Sequence, residues 1–569
     1  MKRLLIVFGL LLGIAIGTAG LAVFLSRGGG GGTGAMVLRF TISGDLREQA
    51  PSRGFHIPGF RQPESFANVY VALAGARQDA RVKGIQVRID DAGFGLAKAQ
   101  ELRDLFLRLR DAGKFVRCYL DSAGDGGNGT LEYYLASACS HIALAPAGEF
   151  NVIGLFSDSS FLRGTLEKLK VDATYAHAGK YKSAPETFTE YGFSPPAREA
   201  IAALLDGEFE QLVKGIAEGR KLPPEDVRQL IDQAPLSAEA ALNHKLVDAL
   251  MYPDEFQAAT DAALAPTPSY VDLERYTAPQ GFSGKQIAVV FAAGTIVRGG
   301  GGEQPWTQEQ YVGSDSLSET LESLAEDASI AAVVLRIDSP GGSALASDLI
   351  QRRVAKLQEA KPVVVSMADL AASGGYYIAA PAKKIVAQPG TLTGSIGVFA
   401  GKFSTRRFQE DWLGIRHETL QRGANADYFS TLDPFRPDQA ERFTSGVERT
   451  YARFVKVVAT GRRMTTEAVD AVAQGRVWTG DAAHQVGLVD ELGGLDRAIG
   501  LAKDLAGVPA QDRVRLRFLP APPNVLDLVF GQRQTRLPAV LAELLRQTLA
   551  SGQQALELPR ELSRLNRPF

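Results

Sequence analysis

Ser373 stands in Ala371-Ala372-Ser373-Gly374-Gly375-Tyr376-Tyr377, a loop of small residues that follows an apolar, β-rich run and opens a helical pattern. At the start of a helix its hydroxyl meets the positive end of the helix dipole, and the N–H of Gly374 points toward an oxygen bound beside it. Asp338-Ser339-Pro340-Gly341-Gly342 also follows an apolar run, and its glycines let backbone N–H groups approach a ligand closely. Two such loops would form an oxyanion hole, with Gly374 and either Gly341 or Gly342 as donors beside a nucleophilic serine. Ser-Gly-Gly taken alone equally suits a helix N-cap.

A serine nucleophile needs a base. The six histidines, His56, His141, His177, His244, His417 and His484, sit in no recognisable triad motif. His177, in Ala176-His177-Ala178-Gly179, comes nearest, but a polar surface or core role accounts for it. The other available base is a lysine made neutral by desolvation, which costs roughly 4–5 kcal/mol for a move from about 10.4 to about 7. Such a lysine requires an apolar pocket. Residue types alone do not select one lysine from the many present.

The elements that must position these groups occur twice. Arg88-Ile89-Asp90 matches Arg336-Ile337-Asp338 at an offset of 248, and Tyr133-Tyr134 matches Tyr376-Tyr377 at 243. Gly219-Arg220 matches Gly461-Arg462, and Leu246-Val247-Asp248 matches Leu488-Val489-Asp490, both at 242. Offsets that drift slowly in one order indicate a duplicated domain. In the first copy the serine loop reads Gly129-Thr130-Leu131-Glu132-Tyr133-Tyr134, without serine or paired glycines. Its partner loop reads Asp90-Asp91-Ala92-Gly93-Phe94, with Phe94 in place of the second glycine. Paired loops intact in one copy and degraded in the other favour chemistry over capping for Ser373.

Within the second copy, 331–337 is predicted as a strand, 347–359 as a helix, 362–367 as a strand, 373–380 as a helix and 384–387 as a strand. That alternation implies an α/β fold of parallel strands covered by helices.

With 569 residues the chain exceeds a single domain. Its 45% hydrophobic and 22% charged residues are those of a globular protein, and a net charge of −2 gives no sign of a nucleic-acid partner. Lys2 and Arg3 precede an uncharged run from Leu4 to Leu25, long enough to span a bilayer as a helix. These charges orient the body to the far side of the membrane from the cytoplasm. Gly17-Thr18-Ala19 loosely mimics a signal-peptidase site, but the length of the run favours a retained anchor. The cysteines, Cys118 and Cys139, lie in apolar context, which favours buried free thiols over a disulfide. No metal-ligand spacing is present, and no cofactor is implied.

Four segments carry a resemblance: Ser339-Pro340-Gly341-Gly342-Ser343, Ala372-Ser373-Gly374-Gly375-Tyr376-Tyr377, Leu392-Thr393-Gly394-Ser395-Ile396-Gly397 and Tyr181-Lys182-Ser183-Ala184. Through them the chain resembles the long, duplicated signal peptide peptidase A family, membrane-anchored serine peptidases with a Ser-Lys dyad, from the anchor to about residue 505. The resemblance implies tandem Clp protease/crotonase-like domains. Residues 1–27 would be the anchor, 28–36 a glycine-rich linker, 37–280 the first repeat, 281–520 the second and 521–569 a tail without an assigned role.

It implies Ser373 as nucleophile, Lys182 as general base and Ser395 as the residue that orients Lys182. Where Lys182 would have its counterpart, the second copy reads Gly423-Ala424-Asn425-Ala426, so each copy carries what the other lacks. The implied substrates are apolar peptides, chiefly cleaved signal peptides. The implied state is a homo-oligomer, a tetramer, on the bacterial inner membrane with its body on the periplasmic side. A crotonase-fold acyl-thioester enzyme and a non-catalytic membrane scaffold are the alternatives; the first would work without Ser373 and the second would not label there. A Ser-x-x-Lys hydrolase, a Walker phosphate loop and a Gly-x-Ser-x-Gly elbow lack their motifs.

Overall fold

The computed structural model describes residues 34–49, 65–264, 267–278, 284–304, 309–509 and 512–520. The expected anchor, residues 28–33 of the linker, the expected join at 279–283 and the tail lie outside the described residues. Among those described, no helix is long and apolar enough to cross a membrane.

Two parallel sheets repeat one plan. The first runs in the order Ala249–Leu250, His141–Leu144, Phe115–Leu120, Val82–Ile89, Met36–Ile42, Ser269–Asp272. In the second, Glu491–Leu492, Lys384–Ala387, Val363–Ala372, Ile330–Ser339, Gln286–Ala293 and Arg515–Leu519 follow in the corresponding order. The second sheet adds Leu392–Gly394 beside the end of Val363–Ala372, with Val477–Thr479 antiparallel to it.

The central strands read as unbroken apolar runs because both faces are covered: Val333, Val334, Leu335, Val363, Val364 and Val365 are fully buried. Side chains alternate between those faces. Ile287, Val289, Val334 and Val364 join a core that includes Leu102 and Phe106 of the first copy. Ala288, Val290, Val333 and Val365 form a second core with the helices Ala344–Ala360 and Pro437–Arg462. The two copies therefore share one hydrophobic core and do not merely touch.

Each copy has a 26-residue helix, Pro195–Arg220 and Pro437–Arg462, that begins with proline in its first turn and ends on a left-handed residue, Lys221 or Arg463. The strand Asp172–Ala178 of the first copy reaches across to pair antiparallel with Val398–Ser404 of the second. This arm leads directly into the loop that carries Lys182.

Two expectations change. The short helix is Gly374–Ala379, with Ser373 just outside it. Cys118 and Cys139 form a disulfide, with Cα atoms 5.9 Å apart, and are not free thiols. Apolar context correctly indicates their burial but not their proximity, because the helix Thr130–Ala136 turns the chain back onto the strand Phe115–Leu120.

Candidate active site

Ser373 follows the strand Val363–Ala372 with φ 53° and ψ −117°, a backbone conformation that non-glycine residues seldom adopt. Its side chain makes no capping hydrogen bond to the helix it precedes, so the N-cap alternative does not apply. Instead the Nζ of Lys182 lies 3.2 Å from its Oγ. The same Nζ donates to the carbonyl oxygen of Ser395 at 3.0 Å and meets the Oγ of Ser395 at 2.8 Å. A neutral amine has two N–H groups and one lone pair. With both hydrogens held by Ser395, the lone pair faces the Ser373 hydroxyl.

Lys182 is only 7% exposed, and burial lowers its pKa to about 8. Lys180, two residues earlier, is exposed and lies over the Tyr181 ring. The sites of Lys182 and Ser373 thus come from different copies and meet within one chain.

A glycine seam makes the meeting possible. The segment Gln474-Gly475-Arg476 of the second copy lies against the turn from Gly179 to Lys182: the N–H of Tyr181 donates to the carbonyl of Gln474 at 2.7 Å. A methyl group on Gly475 would fall 2.6 Å from both the backbone nitrogen and the Cβ of Lys182, and one on Gly179 would fall 2.4 Å from the Gln474 carbonyl carbon. On the other side of the seam, Gly475 donates to Ile396 and Ser395 to Arg476. Arg476 also reaches Glu199 at 2.8 Å, tying the helix Pro195–Arg220 to the same seam. Sequence analysis does not find Gln474, Gly475 or Arg476, since their role rests on contact with residues some 290 positions away and no local pattern marks it.

The two glycine loops converge as expected, with one correction. The N–H of Gly341 is taken up by the Oγ of Ser339 at 3.1 Å. Among the described residues, the N–H groups of Gly342 and Gly374 meet no acceptor, and both line the cleft at Ser373. Gly341 matters for a different reason. A methyl group there would sit 2.5 Å from the Gly374 nitrogen, and its φ of +98° suits glycine.

The cleft holds about 430 Å³ and is walled by Tyr377, Val398, Phe399, Phe429, Phe443 and Val447. The helix Pro437–Arg462 supplies much of that apolar wall. His177 is exposed, its Nδ1 3.1 Å from the Gly179 carbonyl, and faces no nucleophile.

In the first copy the matching place is closed. Thr130, opposite Ser373 in the repeat, is buried with its hydroxyl donating to Asn128 Oδ1 at 2.6 Å and accepting from Gly154 N–H at 3.0 Å. The carboxylate of Glu132, where the second copy has Gly375, accepts the N–H of Ala92 at 3.1 Å. A side chain thus fills the space that paired glycines leave open in the other copy.

Residues 109–265 and 355–509 each match the model of peptidase family S49. The chain is 34% identical to "Serine protease SPPA, chloroplastic" of Arabidopsis thaliana, over 91% of this chain and 77% of that one. It is 32% identical to "Protease 4" of Salmonella typhi, over 86% of this chain and 79% of that one. Among solved structures, "1510-N membrane-bound stomatin-specific protease S97A mutant" matches 42% of this chain and 100% of its own at 17% identity and a TM-score of 0.26. The chain belongs to peptidase family S49, as a serine peptidase of the long, duplicated signal peptide peptidase A type.

Proposed function

We propose that Ser373 and Lys182 are the catalytic dyad of a membrane-anchored endopeptidase that degrades apolar peptides, chiefly signal peptides already released from their precursors. The observation that carries it is the buried amine of Lys182, 3.2 Å from Ser373 Oγ with its hydrogens held by Ser395. Neutral Lys182 takes the hydroxyl proton as Ser373 attacks the peptide carbonyl. The N–H groups of Gly342 and Gly374 hold the resulting oxyanion. Protonated Lys182 then gives its proton to the leaving amine. Water, deprotonated by the same amine, releases the acyl group from Ser373.

The aromatic and aliphatic walls of the cleft suit apolar side chains on the substrate. The uncharged run from Leu4 to Leu25 behind Lys2 and Arg3 supports an anchor that leaves the body outside the cytoplasm, at a bacterial inner membrane, where cleaved signal peptides collect. A homo-oligomer of four chains is part of the same proposal.

The test uses the full-length chain in detergent and its Ser373→Ala, Lys182→Ala and Lys180→Ala variants, each checked for native folding. Cleavage of a signal-peptide-like substrate and labelling by a serine-reactive probe should fall at least about 10³-fold in the first two and be unchanged in the third. Cleavage surviving in Ser373→Ala would overturn the dyad. A parent that neither cleaves nor labels would overturn the peptidase function.

A further inference from the structure

We propose that the second copy carries a binding site for a compact phosphate-bearing anion, separate from the cleft at Ser373. A cavity of about 710 Å³ opens beside the helices Ala344–Ala360 and Pro437–Arg462 and is lined by Lys383, Lys384, Arg453, Lys456, Arg462 and Arg463. Asp490 is the only acidic residue of that lining. Six cations against one carboxylate give the cavity a strong positive potential, and its volume is that of a small-molecule site.

The partners of these cations are unequally distributed. Arg453 is engaged by Asp348 at 2.7 and 2.8 Å, and Lys384 stands 3.9 Å from Asp490. Lys383, Lys456 and Arg463 have no side-chain partner among the described residues. Arg462 pairs with Asp490 at 2.6 Å, and its side chain is only 6% exposed. Its buried Nε has no hydrogen-bond partner. A buried donor left unmet costs about 1–3 kcal/mol, so Arg462 is less fully paired than a purely structural arginine would be.

The duplication supplies the control. Arg220, the counterpart of Arg462, gives its Nε and Nη2 to the Lys245 carbonyl at 3.0 and 2.7 Å, and one hydrogen each from Nη1 and Nη2 to Asp248 at 3.1 and 2.7 Å. Where the second copy has Lys383, Lys384 and Arg453, the first has Ser140, His141 and Gln211. The first copy is thus more fully paired and less cationic, whereas the second has added charge and left the exposed guanidinium of Arg463 without a partner among the described residues. Of the lining residues only Lys384 belongs to a strand, and that strand is paired on both sides, so an extended acidic peptide would find no free backbone ladder there. Phosphate oxygens match the arginine fork and concentrate charge in a small volume.

The experiment is titration calorimetry of the full-length protein in detergent with inorganic pyrophosphate and, separately, with monomeric short-chain phosphatidic acid. The variant carries Lys383→Glu together with Lys456→Glu, both exposed positions. Lys214→Glu, at the first-copy counterpart of Lys456, is the control. One pyrophosphate should bind per chain, at least about 10-fold more weakly in the double variant and unchanged in Lys214→Glu. Binding of phosphatidic acid as tightly or more tightly would identify a lipid headgroup as the source of the phosphate; preference for pyrophosphate would identify a soluble one. If neither probe binds at 10 mM (roughly the weakest affinity worth calling a site), or if the double variant binds as the parent does, the proposal fails. It fails equally if hexaglutamate binds and both phosphates do not.

Discussion

Lys182 can act as a base because it is buried, and the same burial sets two testable properties. With its pKa lowered to about 8, the fraction of neutral amine rises through that pH, and kcat/KM should climb with a limb near 8. Ser395 orients the amine, whereas desolvation lowers its pKa. Ser395→Ala should therefore reduce kcat about 10- to 100-fold and leave the limb near 8. A limb that moves with the mutation would show that Ser395 tunes the lysine as well as holding it. Stability follows the opposite demand. A base whose folded pKa is depressed contributes full stability above its unfolded value near 10.5 and loses it as pH falls to about 8. At neutral pH the charged amine costs about 3 kcal/mol, so Lys182→Met should be inactive yet unfold at higher denaturant than the parent at pH 7. Chemical denaturation at pH 7 and pH 10 would check it, with the gain shrinking at the higher pH.

The elements that carry the dyad were legible to different degrees, for physical reasons. Strands such as Val363–Ala372 announce themselves because burial on both faces demands an unbroken apolar run. Ser373 was legible because a nucleophile at a sharp strand-to-helix turn needs small neighbours in its own segment. Lys182 was not legible from local pattern, because its place beside Ser373 depends on the seam at Gly475, contributed by the other copy. The pairing of Cys118 with Cys139 was hidden for a similar reason, a contact that neither residue's neighbours encode, whereas the capture of the Gly341 N–H by Ser339 two residues earlier is a local serine turn that the sequence could have offered. The seam can be broken by one methyl group. Gly475→Ala, at φ +78° and 2.6 Å from Lys182, must push the lysine turn away from Ser373. A displacement of the order of 1 Å should cost about 10²-fold in kcat, with KM little changed. Parent-like turnover in a correctly folded Gly475→Ala would show that the seam does not position the base.

Across the whole molecule, the contact between the copies is also where charge is buried. Glu48, Lys98 and Glu101 from the first copy meet Arg336, Asp338 and Asp369 from the second. Arg336 lies 2.7 Å from Glu48 and 2.6 Å from Glu101, and Lys98 stands 3.3 to 3.6 Å from Glu48, Asp338 and Asp369. Asp338 begins the glycine loop and Asp369 lies four residues before Ser373, so this cluster underlies both halves of the site. Asp369 also caps the helix Leu96–Asp111 through the N–H groups of Gly95 and Lys98. Four carboxylates face two cations, and burial resolves the excess by keeping protons: Asp338 is raised to about 6 and Glu101 to about 7. An acid whose folded pKa is raised gives its full stability below its unfolded value near 4 and loses it as pH rises through the folded one. The urea midpoint should therefore fall between pH 5 and pH 8, and Glu101→Gln, which cannot ionise, should fall less. Activity rises with pH through Lys182 only after the joint between the copies has weakened over the window just below, so the base becomes neutral where these carboxyls no longer add stability. Equal urea profiles for the parent and Glu101→Gln across pH 5 to 8 would remove the cluster from that balance.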